Sequence, residues 1–86
     1  MYKDFYSEEI TKKLAKMRKK DPVEYSQVRK KMDSILADPD HSYKFLSHDM
    51  NGLNRVHIGH FVLVFRIDYQ KKMVSFEDYD YHDKIY

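Results

Sequence analysis

A chain of 86 residues has room for one small core, and a hydrophobic content of 42% with two Gly and two Pro excludes a disordered or low-complexity tail. Without Cys, disulfide frameworks, thiolate metal sites and cysteine nucleophiles drop out together. The net charge of +2 is uninformative as a sum but not in its distribution: basic residues crowd the first half, whereas Glu77, Asp78, Asp80 and Asp83 crowd the tail.

In chain order, Met1 to Tyr6 reads as an edge strand anchored by Tyr2 and Phe5. Ser7, followed by Glu8 and Glu9, supplies a hydroxyl cap and carboxylates at the positive end of a helix over about residues 7–20. Ile10, Leu14 and Met17 recur at helical spacing and form its apolar stripe. Asp21 as cap and Pro22 at the first helical position begin a second helix over about 22–37, with Tyr25, Val28, Met32, Ile35 and Leu36 as its stripe; Asp38 and Pro39 end it. So short a link makes the two helices an antiparallel hairpin. Between Thr11 and Lys31 stand Lys12, Lys13, Lys16, Arg18, Lys19, Lys20, Arg29, Lys30 and Lys31 against only Asp21 and Glu24. The ordinary reading of such a run is a solvated helix face.

After a polar loop the period changes to two. Strands are predicted over about 53–58, 61–68 and 73–79, rich in Val, Ile, Phe and Tyr. Gly59 and His60 fit a two-residue hairpin turn, which pairs Ile58 with Phe61, His57 with Val62, Val56 with Leu63 and Arg55 with Val64. A turn centred on Gln70 and Lys71 pairs Ile67 with Val74, Arg66 with Ser75, Phe65 with Phe76, Val64 with Glu77 and Val62 with Tyr79. Alternation then sorts the sheet. One face holds Val56, Ile58, Phe61, Leu63, Phe65, Ile67, Val74 and Phe76, and is the face the helices cover. The other holds Arg55, His57, Val62, Val64, Arg66, Ser75, Glu77 and Tyr79, and is predicted to be open. The fold class is α+β: an N-terminal helical hairpin on one face of a small antiparallel sheet, as a single domain over 1–86. The apolar run Phe61 to Phe65 is far too short to span a membrane and Met1 to Glu9 lacks a signal-peptide core, so a cytoplasmic protein without a membrane partner is expected.

The segment from Leu53 to Asp68 and the tail from Tyr81 to Tyr86 resemble the RelE/ParE family of toxin–antitoxin systems. Members commonly carry basic, aliphatic, basic, aliphatic, Gly, polar and aromatic residues at the hairpin, matched here by Arg55, Val56, His57, Ile58, Gly59, His60 and Phe61. They often close on a His, an aliphatic and a Tyr, matched by His82, Ile85 and Tyr86. Two positions depart: Val62 stands where Arg is usual, and Tyr81 where the tail His often stands. The resemblance implies a toxin that cleaves mRNA in the ribosomal decoding site and is neutralised by a cognate antitoxin. The alternative is a relative acting by binding alone, as a ParE-like gyrase inhibitor or an RNA-binding module.

Metal-independent RNA cleavage needs a base for the ribose 2′-OH, an acid for the leaving 5′-oxygen and cations for the charge on the phosphorane. His57 is the candidate base or acid, Glu77 the alternative base, and Arg55 the phosphate ligand. Tyr81, His82 and Tyr86 approach from the tail. Arg66, which shares a face with Arg55, partly replaces the missing Arg, and Lys44 and Lys84 are further candidates for contact with RNA. A plainer reading makes Arg55 and Glu77 a cross-strand ion pair on a solvated face. His60 is a turn residue, and His41 and His48 are loop residues without a spacing signal. No His pair has ligand spacing, so neither a metal nor any other cofactor is expected.

Overall fold

A computed structural model describes residues 1–45 and 52–86; His48 lies outside them. Helix α1 spans Glu8–Lys20 and helix α2 spans Pro22–Ala37. The Ser7 hydroxyl accepts the Ile10 N–H at 3.1 Å and so satisfies an orphan donor at the start of α1. Asp21 works in both directions. Its N–H closes α1 on the Met17 carbonyl at 2.8 Å, and its carboxylate accepts the Glu24 N–H at 3.1 Å to open α2. One residue serving both caps leaves no slack, and the helices turn back on one another.

Five strands follow the order β1-β5-β4-β3-β2, with β1 Lys3–Tyr6, β2 Lys44–Phe45, β3 Asn54–Ile58, β4 Phe61–Asp68 and β5 Met73–Tyr81. All neighbours are antiparallel except β1, which runs parallel to β5 and completes the sheet on its far side. Its anchors are Tyr2 and Tyr6 rather than Tyr2 and Phe5. Tyr6 pairs with Phe76 and stacks on its ring at 5.5 Å, whereas Phe5, opposite Ser75, points away from the helices and is exposed. The core joins Ile10, Leu14, Val28, Met32, Ile35 and Leu36 of the helices to Leu63, Phe65, Val74, Phe76 and Tyr79 of the sheet.

The β3–β4 hairpin has the predicted register throughout. The β4–β5 hairpin keeps it from Ile67 and Val74 to Phe65 and Phe76, and then a bulge intervenes. Glu77 is the extra residue, so Val64 pairs with Asp78, Leu63 with Tyr79, Val62 with Asp80 and Phe61 with Tyr81. Tyr79 is therefore not on the open face: it is 3% exposed in the core, its hydroxyl 3.2 Å from Glu24 Oε2. The physical reason is charge. An unbulged register sets Asp78 and Asp80 opposite Leu63 and Phe61 on the apolar face, where an unpaired carboxylate is very costly. The extra residue turns them outward and brings Tyr79 in.

Beyond Tyr6 the edge of β5 has no strand beside it among the described residues, and α1 packs against β5 instead. Asp78 and Asp80 accept the N–H groups of Tyr79 and Tyr81 at 2.8 and 2.7 Å, and both receive Lys13 Nζ, at 2.8 and 3.0 Å. The acidic tail thus closes a sheet edge and pins it to the basic helix. Burial pulls Lys13 down, but its hydrogen bonds to the two carboxylates carry it above the usual lysine value. Asp80, raised by burial, is held below the usual carboxylate value by the Tyr81 N–H and Lys13. Replacing Lys13 with Gln is expected to cost about 1 to 2 kcal/mol in urea unfolding at pH 7. Because folding depresses Asp80, its stabilisation is full above the unfolded carboxylate pKa of about 3.9 and fades as pH falls through the lower folded value. The variant is expected to lose that acid-dependent part.

Candidate functional site

Alternation along β3 sends Arg55 and His57 to the side away from the helices, with Lys44 of β2 directly opposite Arg55. The chain after β5 does not trail off. It forms a short helix, α3, His82–Ile85, packed against β4 and β5, and the His82 N–H donates to the His60 carbonyl at 3.0 Å. The hairpin turn that fixes the β3–β4 register therefore also fixes the tail. Gly59 takes φ 62° in that turn, a conformation costly for other residues.

This return brings the tail rings over β3. His57 stacks on His82 at 5.6 Å and on Tyr86 at 6.5 Å, His82 and Tyr86 are 4.5 Å apart, and the Arg55 guanidinium lies 5.5 Å from the Tyr86 ring centre. Arg55, His57, His82 and Tyr86 thus form one cluster drawn from distant parts of the sequence. Arg55 Nε is buried with no hydrogen-bond partner among the described residues. Partial desolvation, then the nearby Arg55, His82 and Lys44, hold His57 below the usual imidazole value. The Asp83 carboxylate stands 3.5 Å from His82 Nδ1. A cleft of about 550 Å³ runs past His57, His60, Tyr81 and His82 at the hairpin end of the sheet.

The other expected site residues stand apart from the ring cluster. Tyr81 pairs with Phe61 and stacks on it at 4.3 Å, on the helix side of the sheet, and lines the cleft beside His57 and His82. Glu77 sits in the bulge and accepts the Ser75 hydroxyl at 2.8 Å; among the described residues it makes no ion pair with Arg55. Arg66 is exposed two residues beyond Val64 on the cluster's face, and Lys84 lies on the exposed tail helix. The face predicted to be open is not open at its centre. Val62 and Val64 point away from the core yet are 0% and 3% exposed, with α3 packed on their strand. The returning helix is what the sequence reading missed. Four residues are too few for a periodic signal, and only the pairing of Val62 and Val64 with an otherwise polar face hinted that something covers them.

No family model matches the chain. A protein of Methanosarcina mazei is 49% identical over 79 residues, covering 91% of each chain. A candidate toxin of Methanocaldococcus jannaschii, RelE4, is 42% identical over 87 residues, covering 100% of this chain and 92% of its own. The chain belongs to the RelE toxin family. Solved RelE structures share its fold: a chain of the RelBE2 toxin–antitoxin complex of Mycobacterium tuberculosis superposes with a TM-score of 0.75 at 20% identity, over 94% of this chain and 98% of the other. The intact Escherichia coli RelBE complex gives 0.75 at 19% identity, over 94% and 96%. The α+β class read from the sequence thus holds, and the RelE hairpin and tail motifs meet at the ring cluster. Among the described residues no helix is long and apolar enough to cross a membrane.

Proposed function

We propose that this RelE-family chain is the toxin of a type II toxin–antitoxin pair and cleaves mRNA at the ribosome, with the Arg55, His57, His82 and Tyr86 cluster as its active surface. The observation that carries the reading is the convergence of these four side chains on one sheet face, with a buried Arg55 Nε that lacks a partner among the described residues. The 2′-oxygen attacks the adjacent phosphorus, a base takes its proton, and the P–O5′ bond breaks as an acid protonates the leaving oxygen. His57, held toward its neutral form, suits the base, and His82 beside it suits the acid. Arg55 neutralises charge that grows on the phosphorane, and Tyr86 offers a ring on which a base can stack.

The cognate partner is an antitoxin, as in the RelBE complexes, and the basic helical hairpin favours an acidic one. Induced expression is expected to arrest growth with loss of full-length mRNA, and co-expression of a cognate antitoxin to relieve it. Changing His57 or His82 to Ala is expected to relieve arrest while leaving the circular dichroism spectrum unchanged. Unaltered toxicity in both variants removes the histidines from the mechanism. A second reading, inhibition by binding alone, draws on Val62: the position where the family usually carries Arg is wholly buried and apolar. Arrest with intact mRNA and damaged DNA is its signature.

A further inference from the structure

On the β2 side of the sheet a second groove, of about 560 Å³, leads from His57 past Arg55 and Lys44 to His41 and to Lys31 of α2. Nothing in the sequence joins these residues. His41 is a loop residue and Lys31 one cation in a long helical run. The loop between them is held in place: the Tyr43 N–H bonds the His41 carbonyl at 2.9 Å, the Tyr43 hydroxyl donates to the Asp38 carbonyl at 2.7 Å, and the His41 ring packs on Tyr43 at 4.8 Å.

Among the described residues no carboxylate lines the groove, and Lys31, Lys44 and Arg55 take part in no ion pair. Lys12, Lys13 and Arg29, by contrast, meet carboxylates. Lys31, Lys44 and Arg55, gathered in one groove with no counter-ion among the described residues and with the Arg55 Nε buried there without a partner among them, repel one another and favour an anion between them, to which the His41 and His57 imidazoles can also donate. The volume suits one or two nucleotide units rather than a flat protein contact.

We infer that this groove is a second phosphate subsite, in which Lys31 and His41 hold the backbone of a single RNA strand beyond the scissile phosphate at Arg55. The inference rests on the reading of the substrate as RNA, but it concerns binding rather than cleavage. The strand leaves the cluster along the β2 edge, so that one phosphate lies at Arg55 and the next between Lys44 and Lys31.

The test uses the purified full chain with two 2′-deoxy probes that cannot be cut, a dinucleotide with one phosphodiester and a hexanucleotide with five, and measures affinity against salt. Lys31→Gln and His41→Gln are each expected to weaken the hexanucleotide about fivefold, and Lys31→Gln to reduce its salt slope by about 0.7, the increment for one phosphate on a single strand. The dinucleotide is expected to bind unchanged, as is the hexanucleotide to a Lys16→Gln control. Equal hexanucleotide affinity in wild type and Lys31→Gln overturns the subsite, even if the wild type cleaves RNA. A fall in antitoxin affinity with unchanged hexanucleotide binding also overturns it and gives the groove to an acidic peptide. Phosphate-dependent binding through Lys31 in a protein that proves not to cleave RNA supports the subsite and sinks the nuclease reading alone.

Discussion

Arg55→Ala is expected to lower the rate of RNA cleavage about 100- to 1,000-fold, the usual loss when a preorganised donor to developing oxyanion charge is removed. The expectation follows from how the side chain is held. Its guanidinium lies 5.5 Å from the Tyr86 ring, its Nε is shut off from water, Lys44 faces it across the β2–β3 pair, and among the described residues no carboxylate pairs with it. Arg55→Lys keeps the charge but not the planar fork and is expected to recover only part of the rate. Single-turnover cleavage of a short RNA on programmed ribosomes measures both, and urea unfolding separates chemistry from stability. A loss under threefold in Arg55→Ala leaves the ring cluster without a phosphate ligand. In the same assay the acid limb of the pH profile should have its midpoint below the ordinary imidazole value of about 6.5, because desolvation and neighbouring cations depress His57, and the limb should vanish in His57→Ala. Stability should follow the same sign. Below about pH 6.5 the unfolded chain takes up a proton at this position more readily than the folded one, so acid weakens the fold.

What the sequence made legible divides along a physical line. Helix caps and apolar stripes are local, so Ser7, Asp21 and Pro22 marked both helices, and Gly59 set the β3–β4 register to the residue. Arg55 and His57 were readable as partners on one face because alternation is also local. The bulge at Glu77 was not, since no residue there announces it. It arises from a conflict between one strand's register and the burial of Asp78 and Asp80, which is visible only once the opposing strand and the helices are in place. The positions of Glu77 and Tyr81 follow from that conflict. Glu77 became the bulge, and Tyr81 crossed to the Phe61 side. The second groove was hidden for another reason: Lys31 and Lys44 meet only through the loop that Tyr43 ties to Asp38.

Val62→Arg is expected to destabilise the protein by about 2 kcal/mol or more and to release the tail, rather than to raise activity. Val62 is 0% exposed between His57 and Asp80, on the strand that α3 packs against. A guanidinium held there without a matched partner meets a desolvation penalty of several kcal/mol. The fold has one inexpensive escape. α3 is four residues long, buries none of them and, among the described residues, is held by one backbone bond from His82 to His60 and by the stacking of the His82 and Tyr86 rings on His57, so its displacement costs less than keeping a charge beneath it. Loss of the tail carries His82 and Tyr86 away from His57, and cleavage falls even though a cation has been added. Val62→Ala, which removes only methyl groups, is expected to cost about 1 to 2 kcal/mol and to keep the tail docked. Proton NMR distinguishes the two variants, because the His57, His82 and Tyr86 rings shift one another's resonances only while stacked. Full stability and intact ring shifts in Val62→Arg mean that the face has room for the side chain, and the roofed-face account then fails. If instead the tail leaves and cleavage falls with it, the Val and the docked tail are one device: the tail stays seated only because an apolar side chain lies beneath it.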